Sequence, residues 1–283
     1  MKVAHLIMAY KNPKQLERLI KRLNHPEFDI FIHLDKKIDI REFRYLEGIN
    51  RASFIQSRVF CNWGGFSFVK AIVVSMQEIL LKSQSYDFIN LMSAQDYPIK
   101  SVDEFHNYLL KYPNHSFLAY EEFGKSDWWR HAVSRFESYH FTDVNLKGRY
   151  LFQRVLNKLA PKRRFPLTCS LYGSSVSTWW TLSRDCAQYV VSFVSINKKL
   201  MNFMRYTWGA DEFLFPTIIL NSPFKELTVN NNLRHIEWEE GKSNPKVLKK
   251  GDLENLMKSD KFFARKFDIS IDEEILDGID QIM

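Results

Sequence analysis

The fold is decided by residues 3–35, VAHLIMAYKNPKQLERLIKRLNHPEFDIFIHLD, in which two apolar runs flank a helical pattern. Val3–Ala9 is almost entirely apolar, which favours a strand that is buried on both faces. Asn12-Pro13 then indicates the start of a helix, because proline is favoured at early helical positions. Asp29–Leu34 is a second apolar run, so the stretch predicts a strand, a helix and a strand.

The same alternation continues as far as residue 112. Further strands are predicted at Ser53–Val59 and Tyr86–Met92, and helices at Phe66–Lys82 and Val102–Tyr112. Short connections between alternating strands and helices are typical of a parallel sheet covered by helices. We therefore predict an α/β fold with a mostly parallel sheet flanked by helices.

The C-terminal half of the chain has a more irregular pattern. We predict a strand at Trp179–Leu182, a loop at Asn230–Lys250, and helices at Cys186–Ser195, Asp211–Leu220 and Leu253–Phe263. No low-complexity linker separates the two halves, so we predict a single domain, residues 1–283.

The net charge of +7 favours anionic partners. No recognised nucleic-acid motif accompanies this charge, so we expect no nucleic-acid partner. The three cysteines lack CxxC spacing, which favours a reducing compartment over a zinc site or a disulfide framework. The N-terminal apolar run ends at Lys11 and is too short for a transmembrane span or a signal peptide.

Several catalytic motifs are absent from the sequence, among them the P-loop, the GxGxxG fingerprint, HExxH and GxSxG. An Asp-x-Asp pair directly after a strand, which would hold Mn²⁺ or Mg²⁺ on a diphosphate, is also absent. Fixed cations would then have to stabilise a leaving diphosphate. A solvated basic loop is the alternative interpretation of the C-terminal cations Lys242, Lys246, Lys249, Lys250, Arg265 and Lys266.

Acidic residues stand at three positions where chemistry is plausible on physical grounds. Asp35 and Asp96 follow predicted strands, and ligands of parallel sheets lie beyond the carboxyl ends of the strands. A helix cap or turn is the alternative for each. Asp211-Glu212 begins an otherwise apolar helix, where it is either a favourable partner of the helix dipole or a general base in a desolvated cleft.

Eight segments together resemble one enzyme family, in family order: AHLIMAYKNPKQLERLI, FIHLDKK, NWGGFSFVKA, FINLMSAQDYPIKS, YGSSVSTWWTLS, WGADEFLFPTIILNS, RHIEWEEGKSNPK and FFARKFD. The family is the core-2/I-branching β-1,6-N-acetylglucosaminyltransferases, which include peptide O-xylosyltransferases. The resemblance implies a GT-A-like fold with a Rossmann-type α/β sheet, a UDP-sugar donor, inversion at the anomeric carbon, and no cofactor or metal. It also implies a nucleotide-sugar-binding half, residues 1–115, and an acceptor-binding and catalytic half, residues 116–283.

The resemblance assigns the catalytic base to Glu212, with Asp211 beside it and Ala210 in place of the family's proline. It assigns contact with the donor diphosphate to Lys266. An arginine that also holds the diphosphate in the family falls near Ser243, and Lys246 and Arg234 are the candidate replacements. The other donor-binding candidates are Asp35, Asp96, Trp63, Gly64 and Gly65. Trp179 and Trp180 resemble an aromatic pair beside the acceptor, with a core strand as the equal alternative.

The chain has no acidic residue from Val144 to Arg184, and its segment Lys147–Arg164 mixes basic and apolar residues. Such a segment either docks on an anionic membrane or forms a solvated loop. The resemblance to a compact bacterial branch favours the cytoplasm or the inner face of the membrane. There the enzyme would transfer N-acetylglucosamine or xylose to a glycan or lipid-linked glycan for surface polysaccharides. A non-catalytic nucleotide- or glycan-binding module is the alternative.

Overall fold

The computed structural model describes residues 1–239, 241 and 244–283, so the donor-binding candidate Ser243 lies outside the described residues. The strands are β1 (Val3–Ala9), β2 (Phe28–Leu34), β3 (Ala52–Phe54), β4 (Phe88–Ser93), β5 (Asp96–Pro98), β6 (Ser116–Leu118), β7 (Glu121–Glu122), β8 (Tyr172–Gly173), β9 (Thr181–Ser183), β10 (Thr228–Asn230), β11 (Arg234–Ile236) and β12 (Phe263–Arg265). Seven of them form the central sheet, in the order β10-β6-β9-β4-β1-β2-β3.

The central sheet is mostly parallel. Strand β1 pairs in parallel with β2 and β4, and β2 pairs in parallel with β3. Strand β9 is the exception, because it runs antiparallel to both β4 and β6. The predicted Rossmann-type α/β class is therefore confirmed, and strands from both halves of the chain share one sheet.

Strand β1 lies inside the sheet, between β4 and β2, and its side chains are suited to burial on both faces. All seven of its residues are buried, as its nearly continuous apolar sequence predicts. His5 is the polar exception, and its Nδ1 is 3.0 Å from Nδ2 of Asn90 on β4. Burial lowers the pKa of His5 to about 3, so the imidazole is neutral in the core.

Helices cover both faces of the sheet. They are α1 (Pro13–Arg22), α2 (Phe66–Leu80), α3 (Val102–Lys111), α4 (Asp127–Glu137), α5 (Arg149–Leu159), α6 (Arg184–Ile196), α7 (Lys198–Met204), α8 (Asp211–Leu220), α9 (Leu253–Met257) and α10 (Glu274–Ile282). The apolar sides of α2, α6 and α8 form one core cluster with the sheet, and those of α1, α3 and α10 form the other. None of the described helices is long and apolar enough to cross a membrane.

A second sheet of three strands, in the order β11-β12-β5, stands at the end of β4. Strand β12 runs antiparallel to β5 and parallel to β11, so that Arg265 lies opposite Asp96. This sheet brings the C-terminal FFARKFD segment to the edge where β4 ends.

Two predictions of secondary structure were wrong in the C-terminal half. The helix predicted at Leu253–Phe263 ends at Met257, since the polar turn after it interrupts the apolar pattern and Phe263 enters β12. The stretch Asn230–Lys250 is not only a loop, because Arg234–Ile236 forms β11. The charged composition of this stretch does not predict a strand, and the strand forms because it pairs with β12.

Candidate active site

The carboxyl ends of β1, β2 and β4 meet at one edge of the sheet because these strands are parallel. Asp35 follows β2 and is buried there. Its Oδ1 accepts hydrogen bonds from the backbone N–H of Lys37 (3.0 Å) and that of Cys61 (3.4 Å). Asp35 therefore holds the turn after β2 against the loop that leads to Trp63, which is the turn role that the sequence left open.

Strand β9 brings the tryptophan pair to the same edge, because it runs antiparallel to β4. The N–H of Leu91 donates to the carbonyl of Trp180 at 2.9 Å. Trp180 has no exposed surface and packs against Phe215, with ring centroids 5.5 Å apart. Trp180 is thus a core residue, and the prediction that it contacts the acceptor fails on burial. Trp179 is only partly buried.

A buried charge cluster lies beneath Trp179. The carboxylate of Asp96 is fully buried, and its oxygens lie 3.4 Å from Nε of Arg265 and 3.8 Å from Nε of Arg234. The Arg265 guanidinium stacks on the Trp179 ring at 4.4 Å. Neither Asp96 nor Arg234 has exposed side-chain surface, and Asp96 is the shared buried partner of the two arginines.

The cluster contains polar atoms without hydrogen-bond partners. Among the described residues, Asp96 Oδ1, Arg234 Nε and Arg265 Nε have none. Burial raises the pKa of Asp96, and the two guanidinium groups oppose that shift. Burial also lowers the pKa of Arg265, which shows how poorly its charge is solvated.

Lys266 follows directly and is partly buried. Within the described part of the chain, no carboxylate lies within 4.0 Å of its ammonium, whereas the neighbouring Lys11 is paired with Asp268. Burial and the charges of Arg265 and Lys11 lower the pKa of Lys266. The local excess of positive charge suits an anionic ligand.

Lys246 has a different environment from Lys266. Its Nζ lies 2.9 Å from Glu237 Oε2 and 2.6 Å from Asp252 Oδ1. Because two carboxylates already neutralise it, Lys246 is a weak replacement for the family's arginine. Arg265 is the better candidate for the role of that arginine. Arg265 was among the C-terminal cations of the sequence but was not selected there as a donor-binding residue.

Asp211 and Glu212 stand in the first turn of α8. The hydroxyl of Thr178, next to Trp179, donates to Asp211 Oδ2 at 2.7 Å. Glu212 is 18% exposed at its side chain, and burial, reinforced by the Asp211 charge, raises its pKa to about 8. Thr178 precedes Trp179, on whose ring the Arg265 guanidinium stacks, so Asp211 is linked by its hydrogen bond to the segment that contacts Arg265.

Arg135 on α4 is the partner of Glu212. Its Nη1 donates to Glu212 Oε2 at 2.5 Å, and its charge opposes the rise in the pKa of Glu212. The guanidinium also stacks on Trp208 at 4.6 Å and lies 5.7 Å from the ring of Trp128. No role could be assigned to Arg135 from the sequence, because its partner is 77 residues away and only the fold brings them together.

The run Trp63-Gly64-Gly65 lies against Trp208. Trp208 precedes Glu212 by four residues in the sequence. Gly64 has φ +67°, and a Cβ there would be 2.4 Å from Nε1 of Trp208. A Cβ on Gly65 would be 2.4 Å from a carboxylate oxygen of Asp143. Trp63 is 66% exposed, with its ring centroid 5.0 Å from that of Trp208. The two glycines therefore allow the loop to approach the residues around Glu212.

A family model described as "Core-2/I-Branching enzyme" matches residues 3–260. The chain belongs to this family. Family membership supports a glycosyltransferase, as the sequence predicted. The donor, the acceptor and the metal requirement stay predictions. Among the described residues, no group of three or more His, Cys, Asp or Glu side chains is arranged to hold a metal ion.

Relatives of this core-2/I-branching chain are xylosyltransferases. Xylosyltransferase 1 of Pan troglodytes is 25% identical over 306 residues, which cover 97% of this chain and 30% of that protein. Xylosyltransferase 2 of Rattus norvegicus is 27% identical over 306 residues, which cover 99% and 33%. The chain spans about a third of the length of these relatives. Among solved structures, apo mouse xyloside xylosyltransferase 1 is similar with a TM-score of 0.40 and 12% identity, covering 81% of this chain and 84% of that one.

Proposed function

We propose that this chain transfers a sugar from a UDP-sugar to a hydroxyl group of a glycan, with inversion and without a metal ion. The observation that carries the proposal is a buried carboxylate with a raised pKa in contact with a fixed cation. Burial and the Asp211 charge raise the pKa of Glu212 to about 8, and Nη1 of Arg135 donates to its Oε2 at 2.5 Å. A raised carboxyl pKa beside fixed positive charge is typical of an acid–base site.

The carboxylate of Glu212 accepts the proton of the acceptor hydroxyl as its oxygen attacks the anomeric carbon. The new bond forms on the face opposite the nucleotide, and the bond from the anomeric carbon to the β-phosphate oxygen breaks. The electron pair leaves with UDP. Asp211 does not touch the reacting atoms in this scheme, because its carboxylate is held by Thr178 and acts on the pKa of Glu212.

The negative charge that develops on the leaving diphosphate needs compensation, which divalent ions provide in many enzymes. Here Lys266 and Arg265 are the groups we assign to this role. Arg265 is oriented by Asp96 on one side and by the ring of Trp179 on the other. An arginine that is already fixed loses little side-chain freedom when it binds phosphate.

The finer assignments follow from the relatives and from the sequence. Because those relatives are named xylosyltransferases, UDP-xylose is the first donor to test, with UDP-N-acetylglucosamine second. We assign the acceptor to a glycan or lipid-linked glycan of bacterial surface polysaccharides. We place the reaction in the cytoplasm, at the inner face of the membrane.

Release of UDP with a panel of UDP-sugars and glycan acceptors, with and without EDTA, tests the proposal. We expect acceptor-dependent UDP release with one donor at the same rate in both conditions. Loss of the activity in EDTA, with recovery on addition of Mn²⁺ or Mg²⁺, would contradict the metal-free mechanism. Absence of turnover with every donor, despite UDP binding, would favour a binding module.

The pH profile of transfer should depend on Arg135. A base must be deprotonated to act, so kcat/KM should rise with pH around the Glu212 pKa of about 8. Since the Arg135 charge lowers that pKa, Arg135→Met should move the midpoint to higher pH, by about 1–3 units for an opposite charge in contact. Arg130→Met is the matched control, because Arg130 lies on the same helix and is 81% exposed. An unchanged midpoint in Arg135→Met would contradict this role.

A further inference from the structure

Helix α5 is turned so that its polar side faces the protein. Oε1 of Gln153 accepts from the N–H of Phe141 at 2.7 Å. Oδ1 of Asn157 accepts from the N–H of Tyr139, and its Nδ2 donates to the Tyr139 carbonyl, each at 2.8 Å. None of the residues of α5 is buried. A surface helix ordinarily shows the reverse arrangement, with its apolar side packed on the core.

The outer side of α5 is consequently apolar. Leu151, Val155 and Leu159 recur at every fourth position and so share one side of the helix. Their exposed fractions are 65%, 47% and 78%. Phe152 and the preceding Leu146 extend this apolar stripe, with exposed fractions of 63% and 69%. A contiguous exposed apolar surface of this kind marks an interaction site.

Basic side chains flank the apolar stripe. Arg154 and Lys158 are exposed on α5 itself, with exposed Lys147 before the helix and Arg164 after it. In the part of the chain that the structure describes, no carboxylate lies within 4.0 Å of these four, whereas Lys162 is paired with Glu137. Apolar side chains surrounded by unpaired cations match the surface of a lipid bilayer, which has an apolar interior under anionic headgroups.

The segment is held rigidly to the half of the chain that carries Glu212. Arg163 is buried and donates to the carbonyl of Ser138 at 3.1 Å and to that of Tyr206 at 2.8 Å. Its guanidinium also stacks on the ring of Phe203 at 4.0 Å. Tyr206 is two residues from Trp208, which packs against Arg135. A surface that binds α5 would therefore have a fixed position relative to the candidate base.

We propose that helix α5 and its basic flanks, residues 146–164, form a docking surface for an anionic lipid bilayer. The leucines and Phe152 would enter the acyl boundary, while the long arginine and lysine side chains reach the phosphate headgroups. A second copy of the chain fits less well, because a symmetric contact would place this uncompensated positive charge against itself. This assignment is independent of the proposed sugar transfer, although it would suit a lipid-linked acceptor.

Co-sedimentation with phosphatidylcholine vesicles, with and without phosphatidylglycerol, tests the docking surface. We expect binding only to the anionic vesicles, and weaker binding at high salt because salt screens the charges. The triple variant Leu151→Ser, Val155→Ser and Leu159→Ser should bind at least about tenfold more weakly, since it removes the inserting side chains. The matched control is Leu81→Ser, Ile196→Ser and Ile282→Ser, at exposed apolar positions elsewhere.

A double variant and a matched control test the contribution of the basic side chains to vesicle binding. Arg154→Gln with Lys158→Gln should weaken binding to anionic vesicles, whereas Lys198→Gln with Lys199→Gln, at exposed positions on α7, should not. Transfer to a soluble acceptor should be unchanged in all four variants, which separates failure of docking from failure of the transferase proposal. Equal vesicle binding by the triple variant and its control would overturn the proposal. So would a dimer, seen by light scattering, that the triple variant dissociates.

Discussion

Glu212→Gln is expected to lose sugar transfer by about 10²–10⁴-fold, the range typical for removal of a general base. The amide has nearly the same shape as the carboxylate but cannot accept the proton of the acceptor hydroxyl. Because the donor cations Arg265 and Lys266 are untouched, the affinity for UDP should stay close to that of the native chain. Steady-state transfer rates and calorimetric UDP binding measure the two quantities separately.

Glu254→Gln is the matched control for the catalytic base, since the Glu254 side chain is 86% exposed on α9. It should keep both transfer and UDP binding. If Glu212→Gln transfers sugar at the native rate, another group must take the proton. If the native chain and Glu212→Gln both bind UDP and neither shows turnover, the binding-module alternative is favoured.

Asp96→Asn is expected to reduce the free energy of unfolding by about 3–5 kcal/mol, the cost of leaving a buried charge without its partner. The Asp96 carboxylate is the only acid within 4.0 Å of the buried Arg234 and Arg265 among the described residues. Since domains are stable by about 5–15 kcal/mol in total, this loss is large. Urea denaturation followed by circular dichroism measures it.

Asp260→Asn is the control for the buried carboxylate. The Asp260 side chain is 79% exposed and, within the described ranges, pairs only with Lys261, so its loss should change stability by less than about 1 kcal/mol. Equal urea midpoints for native protein and Asp96→Asn would show that the two arginines do not depend on this carboxylate.

The sheet and its first helices were predictable because their patterns are strong and local. The continuous apolar runs of β1 and β2, and the helical spacing of α2, identify buried elements without knowledge of the fold. Helices α4 and α5 carried weaker signals. The apolar positions of α5 do not face the core, so the apolar spacing that identifies a core-packed helix does not identify α5.

The residues alone left open whether Asp211-Glu212 is a helix cap or a base and which C-terminal cation contacts the diphosphate, and the resemblance to the family selected Glu212 and Lys266. Burial then separated residues that looked equivalent in sequence. Trp179, in the bend before β9, is partly exposed, whereas Trp180 packs against Phe215 and has no exposed surface. Lys246 and Lys266 differ because only Lys246 has carboxylate partners among the described residues. Such pairings depend on segments distant in sequence.

The most direct test of the account is calorimetric titration of UDP in EDTA. The central claim is that fixed cations replace a divalent ion at the leaving diphosphate. We predict that the native chain binds UDP without metal, that Lys266→Met weakens this binding at least about tenfold, and that Lys249→Met, at an exposed position nearby, does not. UDP binding that requires Mn²⁺ or Mg²⁺, or that is equal in the native chain and Lys266→Met, would contradict the claim.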